Sequence, residues 1–369
     1  ITAQCSPMIY LPSSATATSY YANFGQRPFS YTPPTGFKAL NTFNLPDPTI
    51  KKPNQYMDAT TYTGNGGTLA VTNSGSFQPD FVWIKERPVA SAHAIYDSSR
   101  GNSEVLSSNS TAAGYTQSPT AGLTSFNSNG FSATYPNTGD YYVNRNGQTY
   151  VGWQWKKGAT PGFDIVTFTG NGSARTVSHS LGVAPKMILL KSRSATGDWW
   201  VYHESIGATK TLFMSLTDAA LTFPAWNNTA PTSSVFSVGS ASGLNANGVT
   251  QVAYCFAEIP GFSKFGSYTG NGNADGPFVY CGFRPKYVMV KRTDSTSDWG
   301  VYDSARDTYN QMTDFLFPNA SYAETAGYPV DFLSNGFKMR NSAGFPNNSG
   351  GTFIFAAFAE NPMKYSLAK

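Results

Sequence analysis

Tyr62-Thr63-Gly64-Asn65-Gly66, Phe168-Thr169-Gly170-Asn171-Gly172 and Tyr268-Thr269-Gly270-Asn271-Gly272 are three copies of one string, and each opens a longer shared pattern. Pro79, Pro185 and Pro285 follow the first glycine at one fixed distance. Lys85, Lys191 and Lys291 follow at a second, and Tyr96, Tyr202 and Tyr302 at a third. A register held without gaps through three copies is a tandem repeat, and it takes precedence over other sequence signals. The period is near one hundred residues, long enough for each unit to bury a core of its own.

Three repeat domains follow from this period: residues 59–158, 161–258 and 260–361, preceded by an N-terminal segment and linker over 1–50. Within a copy, Asn-Gly is the strongest short hairpin signal, so the repeated string reads as the hairpin turn that starts each unit. Phe81-Val82-Trp83-Ile84 is an unbroken apolar run between Pro79 and Lys85, the mark of a central strand buried on both faces. Tyr150-Val151-Gly152-Trp153-Gln154-Trp155 alternates, placing Val151, Trp153 and Trp155 on one face. The short joins at Pro161-Gly162-Phe163 and Pro260-Gly261-Phe262 fix the angle between neighbours and predict a rod or a compact stack. Residues 45–58, with Pro46, Pro48 and Pro53, read as a linker.

The composition agrees with many short strands. Charged residues make up 12 % of the 369, against roughly 25 % in an average globular chain, while aromatic residues reach 15 %. Low charge with abundant aromatics excludes a disordered chain. No window sustains a helical apolar period with caps. The expected fold class is all-β: three tandem antiparallel β-sandwich domains and a short N-terminal β or extended segment.

Net charge is +4 with no basic run, which leaves nucleic acid without an electrostatic partner. No apolar run reaches the length of roughly 18 residues that a membrane span needs. Cys5, Cys255 and Cys281 have no metal spacing and no disulfide framework. Pairing of Cys255 with Cys281 stays open.

Several repeated residues are candidates for chemistry. Lys85, Lys191 and Lys291 read as strand-edge lysines. Asp97 and Arg100 match Asp303 and Arg306, while the second copy has His203 and Ile206 there. Such a pair either orients a polar ligand or forms a turn ion pair of small energy. Trp199 and Trp299 share a position that His93 fills in the first copy, as expected of sheet-packing residues. Trp200 is matched by Gly300 in the third copy, and this unshared bulk makes it a candidate receptor-contacting residue. Tyr141 and Tyr142, in a Gly/Asp/Asn context, are candidates for a loop contact. His93, His179 and His203 lack metal-ligand spacing, and no nucleophile elbow or phosphate loop is present. No catalytic residue, metal site or cofactor is expected.

Two stretches carry a resemblance. Tyr21-Ala22-Asn23-Phe24-Gly25-Gln26-Arg27-Pro28-Phe29 and Tyr31-Thr32-Pro33-Pro34-Thr35-Gly36-Phe37-Lys38-Ala39-Leu40 resemble the closing segment of SPRY-type domains embedded in bacteriophage tail and fibre proteins. The repeat string, with its later Trp-x-Val-Tyr-Asp-Ser-x-Arg, best matched at Trp299–Arg306, is similar to β-rich repeats of bacteriophage structural proteins. The resemblance implies a non-catalytic tail-fibre or appendage protein on the virion surface, a homotrimer that contacts other virion proteins and a host-surface glycan or protein. A capsid decoration protein and a fibre-borne polysaccharide-degrading enzyme are the alternatives.

Overall fold

A computed structural model describes residues 47–362 except 119, 136–140 and 343, together with 27–32, 34–36, 38 and 44. The chain divides into two units, Ile1–Pro46 and Asp47–Lys369. Most of the SPRY-like string, and Cys5, lie outside the described residues. The second unit holds all three repeats.

The first repeat contributes β1 (Met57–Thr63), β2 (Thr68–Thr72), β3 (Phe81–Glu86), β4 (Ala94–Asp97), β5 (Gly101–Leu106), β6 (Tyr115–Thr116), β7 (Gly122–Asn127), β8 (Gly130–Thr134) and β9 (Thr149–Trp155). The second contributes β10 (Phe163–Thr169), β11 (Arg175–Ser178), β12 (Met187–Ser192), β13 (Trp200–His203), β14 (Lys210–Phe213), β15 (Leu221–Thr222), β16 (Val235–Val238) and β17 (Thr250–Phe256). The third contributes β18 (Ser263–Thr269), β19 (Phe278–Tyr280), β20 (Phe283–Arg292), β21 (Trp299–Asp303), β22 (Val330–Leu333), β23 (Gly336–Met339) and β24 (Thr352–Pro362). Each repeat builds a large sheet, in the orders β1-β9-β3-β4-β5-β6, β10-β17-β12-β13-β14-β15 and β18-β24-β20-β21. Each also builds a small one: β2-β8-β7, β11-β16 and β19-β23-β22. Every strand pair is antiparallel, so the all-β, sandwich-type expectation is met.

The large sheets are buried on both faces, as the Phe81–Ile84 run predicts. Val82 and Ile84 face the small sheet of their own repeat, in a core with Phe131 and Tyr150. Phe81 and Trp83 face the other way, into a core that all three repeats share. The alternation in β9 works as expected: Val151, Trp153 and Trp155 enter the shared core and Tyr150 the private one. Three equivalent residues, Trp155, Phe256 and Phe358, touch one another, with ring centroids 6.3, 5.5 and 5.8 Å apart. They mark a pseudo-three-fold axis. The repeats form neither a rod nor a linear row of sandwiches; they close into a ring around this aromatic centre.

The closure follows from the sequence of the inner faces. A sheet with large apolar side chains on both faces must cover both, and burying one such side chain contributes roughly 1.5–3 kcal/mol. One face is covered by the small sheet. Each inner face finds its cover in the inner faces of the two neighbouring repeats. The segment expected as a linker joins in: Ile50 enters the shared core and Pro53 is buried at the start of a short 3-10 turn. Cys255 and Cys281 are free thiols in two different private cores, not a disulfide.

The Gly-Asn-Gly string is not a hairpin turn. β1 pairs with β9, whereas β2 pairs with β8, so the string carries the chain from the large sheet to the small one. A buried asparagine clamps each crossing. Asn144 Oδ1 accepts from the Asn65 backbone N–H at 2.9 Å, and its Nδ2 donates to Asn65 Oδ1 and Gly67 O at 2.9 and 2.8 Å. Asn245 and Asn347 make the equivalent bonds to Asn171 and Asn271. Both glycines are required. A Cβ on Gly64, Gly170 or Gly270 would come within 2.2, 2.1 or 2.3 Å of a backbone carbonyl oxygen, and Gly66, Gly172 and Gly272 have φ of 71°, 75° and 64°.

Candidate functional site

The repeated polar residues are spent between repeats. Lys85, Lys191 and Lys291 are completely buried, not exposed at a strand edge. The correction has a simple cause: each lysine lies on the inner sheet face, and the repeat that precedes it around the ring covers it. Lys191 Nζ donates to Thr111 O of the first repeat at 3.1 Å, and Lys291 Nζ to Thr217 O of the second at 3.0 Å. Lys85 donates to carbonyls of its own loop, Glu86 O and Val89 O. That loop is held to the third repeat by the bond from Ser91 N to Ser321 O. Burial lowers all three ammonium groups to a pKa of about 8.

A second ring is built on His93, Trp199 and Trp299. Trp199 Nε1 donates to Ser107 O at 2.8 Å and Trp299 Nε1 to Phe213 O at 2.9 Å. His93 Nδ1 accepts from Trp83 Nε1, so its Nε2 carries the proton toward Phe317 O at 2.9 Å. Burial, with Lys85 nearby, pushes His93 down to about 3, and the ring is neutral. The histidine replaces a tryptophan N–H with its own at the same carbonyl.

The Asp97–Arg100 and Asp303–Arg306 pairs belong to a third ring, which is complete at two interfaces. Arg100 Nε pairs with Asp97, and Tyr254 of the second repeat donates its hydroxyl to the same carboxylate at 2.7 Å. Arg193, also from the second repeat, grips Glu104 at 2.9 and 2.6 Å. At the other interface Arg306 Nε donates to Asp303 at 2.6 Å, Trp153 of the first repeat donates to it at 2.9 Å, and Arg87 holds Glu324 at 2.6 Å. The four side chains of Asp97, Arg100, Asp303 and Arg306 have no solvent exposure, so these are not surface turn pairs. Burial pushes the Asp303 carboxyl up, and Arg306 beside it outweighs that and holds it below its ordinary value. The second–third interface lacks the charges. There His203 Nε2 lies 3.1 Å from Phe355 O, and Ala356 stands where Trp153 and Tyr254 stand.

The residues singled out for surface contact fare differently. Trp200 is buried, at 9 % exposure, with its ring against Phe213 and Phe223 at centroid distances of 4.8 and 5.6 Å. It is a core residue of the second sandwich and offers no stacking face. Its partner position confirms the packing role: a Cβ on Gly300 would lie 1.7 Å from Phe315 Cζ, because Phe315 fills the corresponding space in the third repeat. Tyr141 is half-buried against the first private core, 6.1 Å from the Tyr115 ring. Tyr142 is also half-buried, and the Arg145 guanidinium covers its ring at 4.1 Å. The Gly139-Asp140 context lies outside the described residues.

Two aromatic residues on the outer face of a small sheet escaped the sequence reading. Phe278 and Tyr280, both on β19, are 45 % and 58 % exposed on the outer face of the third repeat's small sheet. The register that pairs Val71 with Phe131, Val177 with Phe236 and Val279 with Phe337 fixes their counterparts. These are Ala70 and Thr72 in the first repeat and Thr176 and Ser178 in the second. Comparing the copies around these three valines is the signal that could have found them. Among the described residues no group of three His, Cys, Asp or Glu side chains could hold a metal ion, and no helix is long and apolar enough to cross a membrane.

No curated protein matches the chain. Residues 52–362 match the family described as a domain of unknown function, DUF7483, in one continuous span that takes in all three repeats and Pro53 at the ring's entry. The chain belongs to the DUF7483 family.

Proposed function

We propose that the chain is a non-catalytic structural protein of a bacteriophage virion, a tail fibre or appendage that contacts the host surface. The observation that carries this reading is the division between what the repeats share and where they differ. The shared polar residues, Lys85, Lys191 and Lys291 and the Asp–Arg pairs, are buried and bonded to protein partners inside the ring. One difference falls on an outward face: among the described residues of the three small sheets, only the third repeat exposes aromatic rings there. A rigid ring whose outer faces vary suits display of a contact surface better than turnover. The resemblance of the repeat strings to bacteriophage structural proteins supplies the setting: the particle surface, with other virion proteins as neighbours.

A fibre resemblance also implies three chains. One chain already carries a three-fold arrangement, so native mass spectrometry distinguishes a single copy from a homotrimer of pseudo-trimers. Antibody labelling of assembled particles tests the location. Label at the tail supports the appendage reading, and label spread over the capsid lattice replaces it with a decoration role. Release of reducing sugar from host envelope polysaccharide by the purified chain would overturn the non-catalytic part.

A further inference from the structure

We infer that the outer face of the β19-β23-β22 sheet is a binding platform for a neutral, pyranose-based glycan, with Phe278 and Tyr280 as its stacking residues. The inference rests on the attachment reading for its biological setting and on the geometry of this face for its chemistry.

Both rings project to one side, because residues two apart on a strand share a face and stand roughly 7 Å apart. Each has one edge beside a glycine. A Cβ on Gly336 would come within 3.1 Å of Phe278 Cε2, and one on Gly282 within 3.4 Å of the Tyr280 hydroxyl oxygen. With 45 % and 58 % of their surface exposed, both rings keep area open to solvent. Two such rings at this separation fit the apolar C–H faces of successive sugar rings, which aromatic side chains cover with both packing and quadrupole attraction.

The edge of the platform supplies hydrogen bonds of both kinds. Lys338 lies directly across from Phe278 and pairs with Asp275 at 2.8 Å; Arg340 lies 3.3 Å from Asp331. Two cations and two carboxylates leave the face without net charge. That disfavours nucleic acid, anionic polysaccharide and an acidic membrane surface, all of which need a positive excess. Hydroxyl groups, which donate and accept, match an edge that does the same. The size agrees. Three strands about 4.8 Å apart and a few residues long give a face on the order of 150 Å², well short of the roughly 800 Å² per partner of a stable protein interface. The other two repeats carry small residues there.

The test uses the full chain on an array of neutral oligosaccharides of glucose, galactose and N-acetylglucosamine, beside uronic-acid and sialylated counterparts. Adsorption to a panel of bacterial cells is measured in parallel. The expected result is binding to one or more neutral glycans that falls at least tenfold in Phe278→Ala/Tyr280→Ala, with an unchanged melting temperature because both side chains are exposed. Ser178→Ala, at the matching face of the second repeat, leaves binding intact. Preference for the charged glycans, or neutral binding that survives the double substitution, overturns the platform. Adsorption to cells without array binding also overturns it, and leaves attachment standing through another face or a protein receptor. Array binding lost in the double variant, with no adsorption to any cell, keeps the platform and rejects attachment.

Discussion

Trp153 Nε1 donates to Asp303 Oδ2 at 2.9 Å, joining side chains 150 residues apart across the interface between the first and third repeats. The same carboxylate pairs with Arg306, which also holds Glu324 at 2.9 Å. The ring is therefore closed where no covalent join exists. Removing Asp303 leaves a buried guanidinium short of its nearest counter-charge. Asp303→Ala is expected to lower the unfolding free energy by about 3–5 kcal/mol. Trp153→Phe keeps an aromatic ring but removes the donor and part of the packing of a fully buried indole, with an expected loss of at least about 1.5–3 kcal/mol. Urea denaturation of the two single variants and the double variant measures both terms and their coupling. Additive losses would show that the bond does not join the repeats energetically.

Much of this arrangement can be read from the sequence, and the parts that cannot have identifiable causes. Phe81-Val82-Trp83-Ile84 announces a strand covered on both faces, and it is. What covers the inner face is not written in periodicity, because Phe81 and Trp83 would look the same whether they met a neighbouring repeat or a second molecule. The Gly-Asn-Gly string is misread as a hairpin for a related reason. Its glycines report backbone geometry, whereas the sheet to which the next strand goes is set by β9 and β8, far along the chain. Asn144, Asn245 and Asn347 are missed because loops of different length separate them from the first glycine. Counted back from the equivalent Trp153, Tyr254 and Ala356, they fall in register. At the candidate surface, Phe278-Val279-Tyr280 reads as plain apolar strand. Only the burial of Val279 shows which side faces water.

The buried lysines give a prediction with a definite sign. Each has a folded-state pKa of about 8 against an ordinary value of 10.5. Below pH 8 they are charged in both states, and the cost of burying the charge is present in full. Between about 8 and 10.5 the unfolded chain binds more protons than the folded one, so this group's contribution to stability rises with pH. Thiols and tyrosines pushed upward by burial act in the opposite sense in the same range, so the comparison must be made between proteins that share them. The unfolding free energy of wild type minus that of Lys191→Met is expected to grow from pH 8 to pH 10, with a slope of at most about 1.4 kcal/mol per pH unit. A flat difference would mean that Lys191 titrates alike in both states.

Acid should weaken the charged interfaces. Burial raises the Glu104 carboxyl, and the Arg193 and Arg100 guanidinium groups more than offset this, leaving it below its ordinary value, as Arg306 does for Asp303. A depressed carboxylate stabilises the fold above its unfolded pKa, and that stability is lost as pH falls through the folded value. Melting temperatures are expected to decline below about pH 4. The decline should be smaller in Glu104→Gln, which has already lost one of these contributions. An equal decline would assign the acid sensitivity to other groups.

Trp200 separates packing from recognition. Its indole fills the second private core against Phe213 and Phe223, at a position where the third repeat has Gly300 and uses Phe315 instead. Trp200→Ala is expected to destabilise the chain by about 3–5 kcal/mol, the range for emptying a buried aromatic site. The surviving folded fraction should bind as wild type does to whatever the outer faces engage. Thermal melts measure the first effect, and adsorption corrected for folded fraction measures the second. The reverse outcome, intact stability with lost adsorption, would return Trp200 to the surface role that its unmatched bulk suggests. Gly300→Ala is the control for the third repeat. Its Cβ would fall 1.7 Å from Phe315 Cζ, so the ring must move, and a destabilisation of about 1–3 kcal/mol is expected.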